Sequence, residues 1–262
     1  MGPELEVPHY AELLPDQLEA LWADGAPAIV AWGALEWHGA HLPLGLDGIV
    51  ASWFAERLAE HLNGVLLPAI WLPMTTLPHR ASLQIRTETF RMVLDDLLGS
   101  LHQAGARRIC MVSGHYAQGH QIEMSEAALR AMEDHDGLLV FCATPLEPLA
   151  DENLLDHAAF FETSQLLAIR PDLVRLDLHS PGAPVHDSAV LGEDPSPANA
   201  AVGKALLETG LTAWEAWVRG AGQSELENHY KSVFDRYEAY VDKYYTGSWE
   251  EAILAWWAEK RA

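Results

Sequence analysis

The sequence predicts an α/β fold in which a largely parallel sheet is covered by helices on both faces. Short, continuous apolar runs alternate with longer amphipathic stretches, the pattern of strands buried on both sides by crossover helices. At 262 residues, 49% of them hydrophobic, the chain can bury a sizeable core. Two segments rich in histidine and carboxylate follow predicted strands directly, at the edge where open α/β sheets bind their ligands.

The elements come in order. APAIVAWGALE reads as the first strand, and DGIVASWFAERLAEHL as a helix with Asp47 near its amino end. GVLLPAIWLP reads as the second strand. TETFRMVLDDLLGSLHQAG reads as a helix with Thr87 as N-cap candidate and Gly105 as its stop. RRICMVSG gives the third strand, HQIEMSEAALRAMEDHDG a helix, and LLVFCATP the fourth strand. Residues 178–200, rich in Pro, Gly and Asp, read as a long loop before a helix from about Ala198 to Val218. The boundary of the α/β domain is placed at 1–222. Residues 223–262 form an aromatic-rich extension that reads as two helices split at Gly247. Tyr230, Phe234, Tyr237, Val241 and Tyr244 make one stripe on the first of them, which would pack on the parent domain or a neighbouring subunit, or serve as a lid over substrate.

Composition excludes several classes. With 38 acids against 16 bases the formal charge is −22, which argues against nucleic-acid or anionic-lipid partners. No apolar run is long enough to span a membrane. The amino terminus carries acids where a secretory signal carries bases and an apolar stretch, and Glu6 stands where a myristoylation signal needs Ser or Thr, so a cytoplasmic protein is expected. Cys110 and Cys142 each sit inside an apolar run and read as buried, reduced thiols.

The chemistry concentrates in three clusters. GALEWHGAHLPLGLDG places Glu36, His38, His41 and Asp47 within twelve positions, and Glu36 and His38, two apart in extended chain, point the same way. Imidazole nitrogen and carboxylate oxygen are the donors of hydrolytic divalent-metal sites. VSGHYAQGHQIE offers His115 at a Gly-supported turn, and His120, which reads equally well as an exposed helix residue. DHAAFFETSQ offers Asp156 and His157, an adjacent pair suited to acid/base work, and Glu162, which reads equally well as a buried carboxylate in a structural network.

These blocks resemble the creatininase (creatinine amidohydrolase) family. The family pattern G-S-x-E-Q-H-G-x-H-L-P-L-x-x-D is similar to GALEWHGAHLPLGLD, its Gly-His turn to SGHYAQ, its H-A-G-x-x-E-T-S block to HAAFFETSQLLAIRPDLV, and G-V-x-G-D-P-x-x-A to AVLGEDPSPANA. The resemblance runs over roughly residues 25–210 and does not reach the tail. It implies a three-layer α/β/α sandwich, one or two divalent ions (Zn, Mn or Fe), and hydrolysis of a C–N amide bond in a small, cyclic or formyl amide by a metal-activated water. It also implies a small-molecule substrate and a homo-oligomer, often a hexamer. By position, Glu36, Asp47 and His115 would hold one ion, His38 and a shared Asp47 a second, and Asp156 and His157 would move protons. Trp37, His41, Tyr116, Phe160 and Glu162 would line the substrate pocket.

The chain departs from the pattern where the family's second ion takes a further carboxylate: Ala117 and Phe160 occupy those positions, and neither can coordinate. The expectation is one tight ion with a second weak or absent, unless His79, Gln118 or His120 substitutes. His79 and Arg80 stand in HRAS, where the family has F-P-G-T. Two other readings remain open: a member of the fold kept for binding or structure, and a short-peptide peptidase of the same family.

Overall fold

A computed structural model describes residues 7–260, apart from the side chains of Glu152, Trp249, Glu250 and Lys260. The expectations for the amino-terminal residues through Glu6 lie outside the described residues. After α1 (Pro15–Ala23) the chain enters β1 (Ala28–Trp32), α2 (Leu46–Leu62), β2 (Val65–Leu66), α3 (Thr87–Gln103), β3 (Arg108–Ser113), α4 (Gln118–Asp134) and β4 (Leu139–Ala143). There follow α5 (Phe160–Ile169), the short α6 (Val185–Ser188), α7 (Ala200–Gly220), α8 (Gln223–Tyr244) and α9 (Trp249–Lys260).

The four strands are parallel and ordered β2–β1–β3–β4. Every residue of β1 is buried, as the unbroken apolar run requires. One layer holds α2, α5 and α7, which pack on one another. In the other, α3 packs on α4. Phe90, Leu94, Leu98 and Leu101 recur on one face of α3, and the Phe90 ring meets Trp32 of β1 edge to face at 5.3 Å. A three-layer α/β/α sandwich results. Cys110 and Cys142 are buried and free. No helix among the described residues is long and apolar enough to cross a membrane.

Three boundaries differ from the expectation. Only Val65 and Leu66 of GVLLPAIWLP join the sheet, because Pro68 and Pro73 lack the N–H that a ladder needs. Ile70 keeps a single bridge to Trp32. Thr87 begins α3 but does not cap it, and Arg86 is the N-cap residue, with no side-chain bond. On α8 the buried face is Leu226, Tyr230, Val233 and Tyr240, while Phe234, Tyr237, Val241 and Tyr244 of the expected stripe are only half-buried.

The extension packs on α4 and on the outer edge of β4. An edge strand presents unpaired backbone groups. Tyr230 answers them: its hydroxyl donates to the Val140 carbonyl and accepts from the Cys142 N–H at 3.0 Å. Tyr230→Phe is therefore expected to cost about 1–3 kcal/mol, because two buried backbone groups lose their partner. The measurement is the urea midpoint at constant m-value. An unchanged midpoint would show that the β4 edge is satisfied without this hydroxyl.

Candidate metal centre

β1 and β3 are neighbours whose onward connections leave in opposite directions, β1 through α2 to β2 and β3 through α4 to β4. Such a switch point leaves a crevice beyond the strand ends. The chain after β1 brings Glu36 and His38 to it, the chain after β3 brings His115, and the first turn of α2 brings Asp47. All four are buried. Glycines set how closely these parts approach. A Cβ on Gly114 would stand 2.0 Å from the Asp47 carbonyl oxygen, and one on Gly33 would stand 2.3 Å from the Gly48 Cα. Neither approach admits a side chain, so the first turn of α2 is pressed against the ends of β1 and β3.

The result is one carboxylate between two imidazoles. Asp47 Oδ1 lies 3.0 Å from His38 Nε2, and Asp47 Oδ2 lies 3.1 Å from His115 Nδ1. Glu36 Oε2 flanks His115 Nδ1 at 3.0 Å. On the other side Glu162, in the first turn of α5, brings Oε2 to 3.6 Å from His38 Nε2. Two donor triads follow, Glu36–Asp47–His115 and His38–Asp47–Glu162, each with its donor atoms within 4.8 Å of one another. A third grouping joins Glu36 and His38 to His157.

Backbone carbonyls orient both imidazoles. His38 Nδ1 is 3.0 Å from the Glu36 carbonyl, and His115 Nε2 is 3.0 Å from the Met74 carbonyl. A carbonyl only accepts, so those nitrogens carry protons, and the opposite nitrogens are turned toward the carboxylates, where each could ligate a cation once it gives up its own proton. This is the arrangement by which proteins orient metal-binding histidines. Glu36 Oε2, His38 Nε2 and both Asp47 oxygens are buried without a hydrogen bond of proper geometry to any described residue. Buried polar atoms seldom go unpaired. Here four of them converge on one point, and the donor chemistry fits divalent cations of the Zn and Mn kind.

The electrostatics agree. Burial pushes the His38 imidazole down, but Asp47, Glu162 and Glu36 more than reverse it and lift it to about 10. His115 is likewise raised well above its ordinary value: burial opposes this, and Glu36 and Asp47 prevail. Burial raises the Asp47 carboxyl, yet His38 and His115 hold it below the usual carboxylate range. Glu162 goes the other way, raised by burial and by Asp47 and Asp156. The pocket thus demands positive charge, which bound cations would supply.

Glu162 was missed as a donor in the sequence, where Ala117 and Phe160 seemed to leave the His38 side without its further carboxylate. The structure puts a candidate carboxylate on that side, Glu162, two residues beyond Phe160. A legible signal existed: an acid in the first turn of a helix that starts just after His157. Of the residues expected to substitute there, His79 is exposed and stacks on Trp37 at 4.6 Å, while Gln118 opens α4 with its side-chain oxygen buried and without a hydrogen-bond partner among the described residues. His120, which also read as an exposed helix residue, is fully buried. It lies edge-on to His115 at 5.0 Å, with neither ring nitrogen in a donor group.

The remaining site residues divide by what they touch. Asp156 accepts from the Phe161 N–H at 2.6 Å and the Glu162 N–H at 3.1 Å, and Glu162 accepts from the Ala158 N–H at 2.6 Å. Asp156 thus ties down the first turn of α5 and aims Glu162. Burial lifts it to about 7. His157 is held by an antiparallel bridge to Leu191 and lies 4.3 Å from the His38 ring. Its Nε2 faces the Trp37 carbonyl at 3.1 Å, and burial, reinforced by His38, lowers its pKa to about 4. His41 is buried, faces the Ala158 carbonyl at 3.0 Å and is depressed to about 4 by burial and His179, so it braces the loop instead of lining a pocket. Trp37, Tyr116 and Phe160 are half-buried.

Comparison with known proteins bears on the same residues. The family model for creatininase, described as creatinine amidohydrolase, matches residues 11–218. A creatinine amidohydrolase of Pseudomonas putida is 28% identical over 55% of this chain, a span that covers 65% of its own length. A mycofactocin precursor peptide peptidase of Mycobacterium tuberculosis is 28% identical over 77% of this chain and 88% of its own. The solved structure of a manganese creatininase superposes with a TM-score of 0.70 at 20% identity, over 82% of this chain and 98% of that one, a likeness of fold.

Gly114→Ala tests how the centre is held. The added methyl is expected to destabilise the fold by about 1–3 kcal/mol through overpacking and to weaken divalent-metal binding at least tenfold by displacing Asp47. Thermal unfolding and metal titration of the same preparation report both. Unchanged metal affinity would show that the contact of α2 with β3 does not set the position of Asp47.

Proposed function

Because the chain belongs to the creatininase family, we propose that it is a metal-dependent hydrolase of a carbon–nitrogen amide bond in a small molecule or short peptide. The observation that carries the reading is the shared Asp47, with Glu36 and His115 on one side and His38 and Glu162 on the other. Glu162 revises the expectation of one tight and one weak or absent ion: each side has three protein donors, and the proposal is two ions of the Zn or Mn class. It also removes the main argument for an eroded site kept only for binding.

Bound ions would polarise the amide carbonyl and bring the pKa of water toward about 7. The chain supplies the rest. Glu36, His38, Asp47, His115 and Glu162 hold the ions. His157 is neutral near pH 7, with its proton on Nε2 facing the Trp37 carbonyl, so its Nδ1 holds a lone pair that can take a proton from the attacking water and hand it on to the leaving nitrogen. Asp156 is a positioning residue for Glu162, with both oxygens engaged by backbone N–H groups.

Protein purified without added metal, stripped, and reloaded with Mn or Zn provides the test. The reloaded chain is expected to hold about two ions and to release acid or ammonia from a panel of formyl, cyclic and dipeptide amides. The stripped chain should be inactive. Glu162→Gln is expected to hold about one ion and to lose roughly 10–100-fold in rate. His157→Ala should keep both ions and lose roughly 100-fold or more. A fully loaded chain that cleaves nothing in the panel would contradict the hydrolase reading, and two ions retained in Glu162→Gln would contradict the role given to that residue.

The pKa directions add a thermodynamic prediction. His38 and His115 are raised above their ordinary value, so the metal-free chain holds protons on both imidazoles at pH 7, and ligation must expel those protons; Glu162, raised as well, holds its proton to higher pH than a free carboxyl. Calorimetric titration in buffers of different ionisation enthalpy should show roughly two or more protons released per chain, with metal affinity falling as pH is lowered. Binding without proton release would show that the imidazoles are already neutral.

A further inference from the structure

A cleft of about 320 Å³ opens between the first turn of α4, the segment after β4 and the carboxy-terminal helices α8 and α9. Its outer wall, on α8 and α9, lies beyond the 11–218 span of the family match. The inner end reaches residues that adjoin His115. Tyr116, which follows His115 directly, lines it, and so does Gln121, whose side chain donates to the His115 carbonyl.

The lining specifies an occupant. Tyr237, Tyr240, Tyr244 and Trp256 give the wall aromatic faces, with Tyr240 5.4 Å from Tyr244 and 6.1 Å from Trp256. Aromatic faces favour another ring. Gln118 Oε1 and Thr144 Oγ1, on residues that line the cleft, are buried and have no hydrogen-bond partner among the described residues. Buried polar atoms of this kind are satisfied by an incoming polar group. Two ion pairs neutralise both bases of the lining, Arg236 with Glu147 at 3.1 Å and Lys243 with Glu259, and Asp151, which accepts from Asn153, is left as an acid that disfavours an anionic ligand. A neutral ligand suits such a lining, in a chain whose formal charge is −22. The volume falls in the ordinary range for small-molecule sites.

We propose that this cleft is the specificity pocket of the enzyme and takes an aromatic ring bearing a neutral hydrogen-bonding group, joined to the amide that is cleaved at the metal centre. The inference rests on the hydrolase reading above, and the test keeps the two apart. Metal-loaded full-length protein is mixed with N-formyl-L-tyrosinamide or with N-formylglycinamide. Binding is read by saturation-transfer NMR and formate release is followed in the same sample. The tyrosinamide is expected to be favoured at least about tenfold in binding and in kcat/KM. In Tyr240→Ala and in Thr144→Val, which alter opposite walls, the ratio between the two amides should fall toward one. Thr144→Val is nearly isosteric and keeps the test valid if Tyr240→Ala fails to fold. Equal handling of the two amides by the wild type, or an unchanged ratio in the folded variants, would overturn the pocket. Aromatic preference in binding without formate release would support the pocket and count against the hydrolase reading. Formate release without preference would do the reverse.

Discussion

The position of one buried carboxylate governs the functional end of this molecule. Asp47 places one oxygen against His38 and the other against His115, and each imidazole is fixed from behind by a backbone carbonyl. Three carboxylates and two imidazoles packed this closely would repel or trap protons in the absence of compensation. The raised pKa values of both histidines and of Glu162 express that tension. Divalent cations relieve it, because they replace scattered protons with charge at the point where the lone pairs converge. The tight contacts of Gly33 with Gly48 and of Gly114 with Asp47 serve this arrangement: they join the start of α2 to the ends of two adjacent strands, so the carboxylate is held by the sheet itself.

Much of this was legible in the sequence, and the reasons are specific. Continuous apolar runs locate the third and fourth strands to within two residues, since a strand buried on both faces has no polar side to blur its limits, while the first, expected to run on through GALE, ends at Trp32. The second strand was over-read because its apolar run contains prolines, which fill a core but cannot pair. Glu36, His38, Asp47 and His115 stood out by spacing and by their place after strands. Glu162 did not, because its part depends on the path of the chain between Asp156 and α5, and local sequence does not encode where that turn lies relative to His38. Asp156 and His157 looked alike as neighbours, yet one is consumed by backbone N–H groups and the other keeps a free ring nitrogen.

The carboxy-terminal helices join the two halves of the account. Tyr230 seals the edge of β4, a structural duty that α8 discharges from its buried face. The half-buried Tyr237 and Tyr244, with Trp256 of α9, thereby share one cleft with Tyr116 and the segment that follows β4. Helices that protect a sheet edge therefore also wall the cleft proposed to select the substrate. A stripe read from spacing alone could not separate the ring that seals the edge from the rings that face the cleft.

The most direct test of the central claim is anomalous diffraction from crystals grown with manganese. The account predicts two peaks about 3.5–4 Å apart, one on each side of Asp47. Glu36 and His115 should ligate one peak, and His38 and Glu162 the other. A single peak, or two peaks with Glu162 turned away from the metal beside His38, would contradict it.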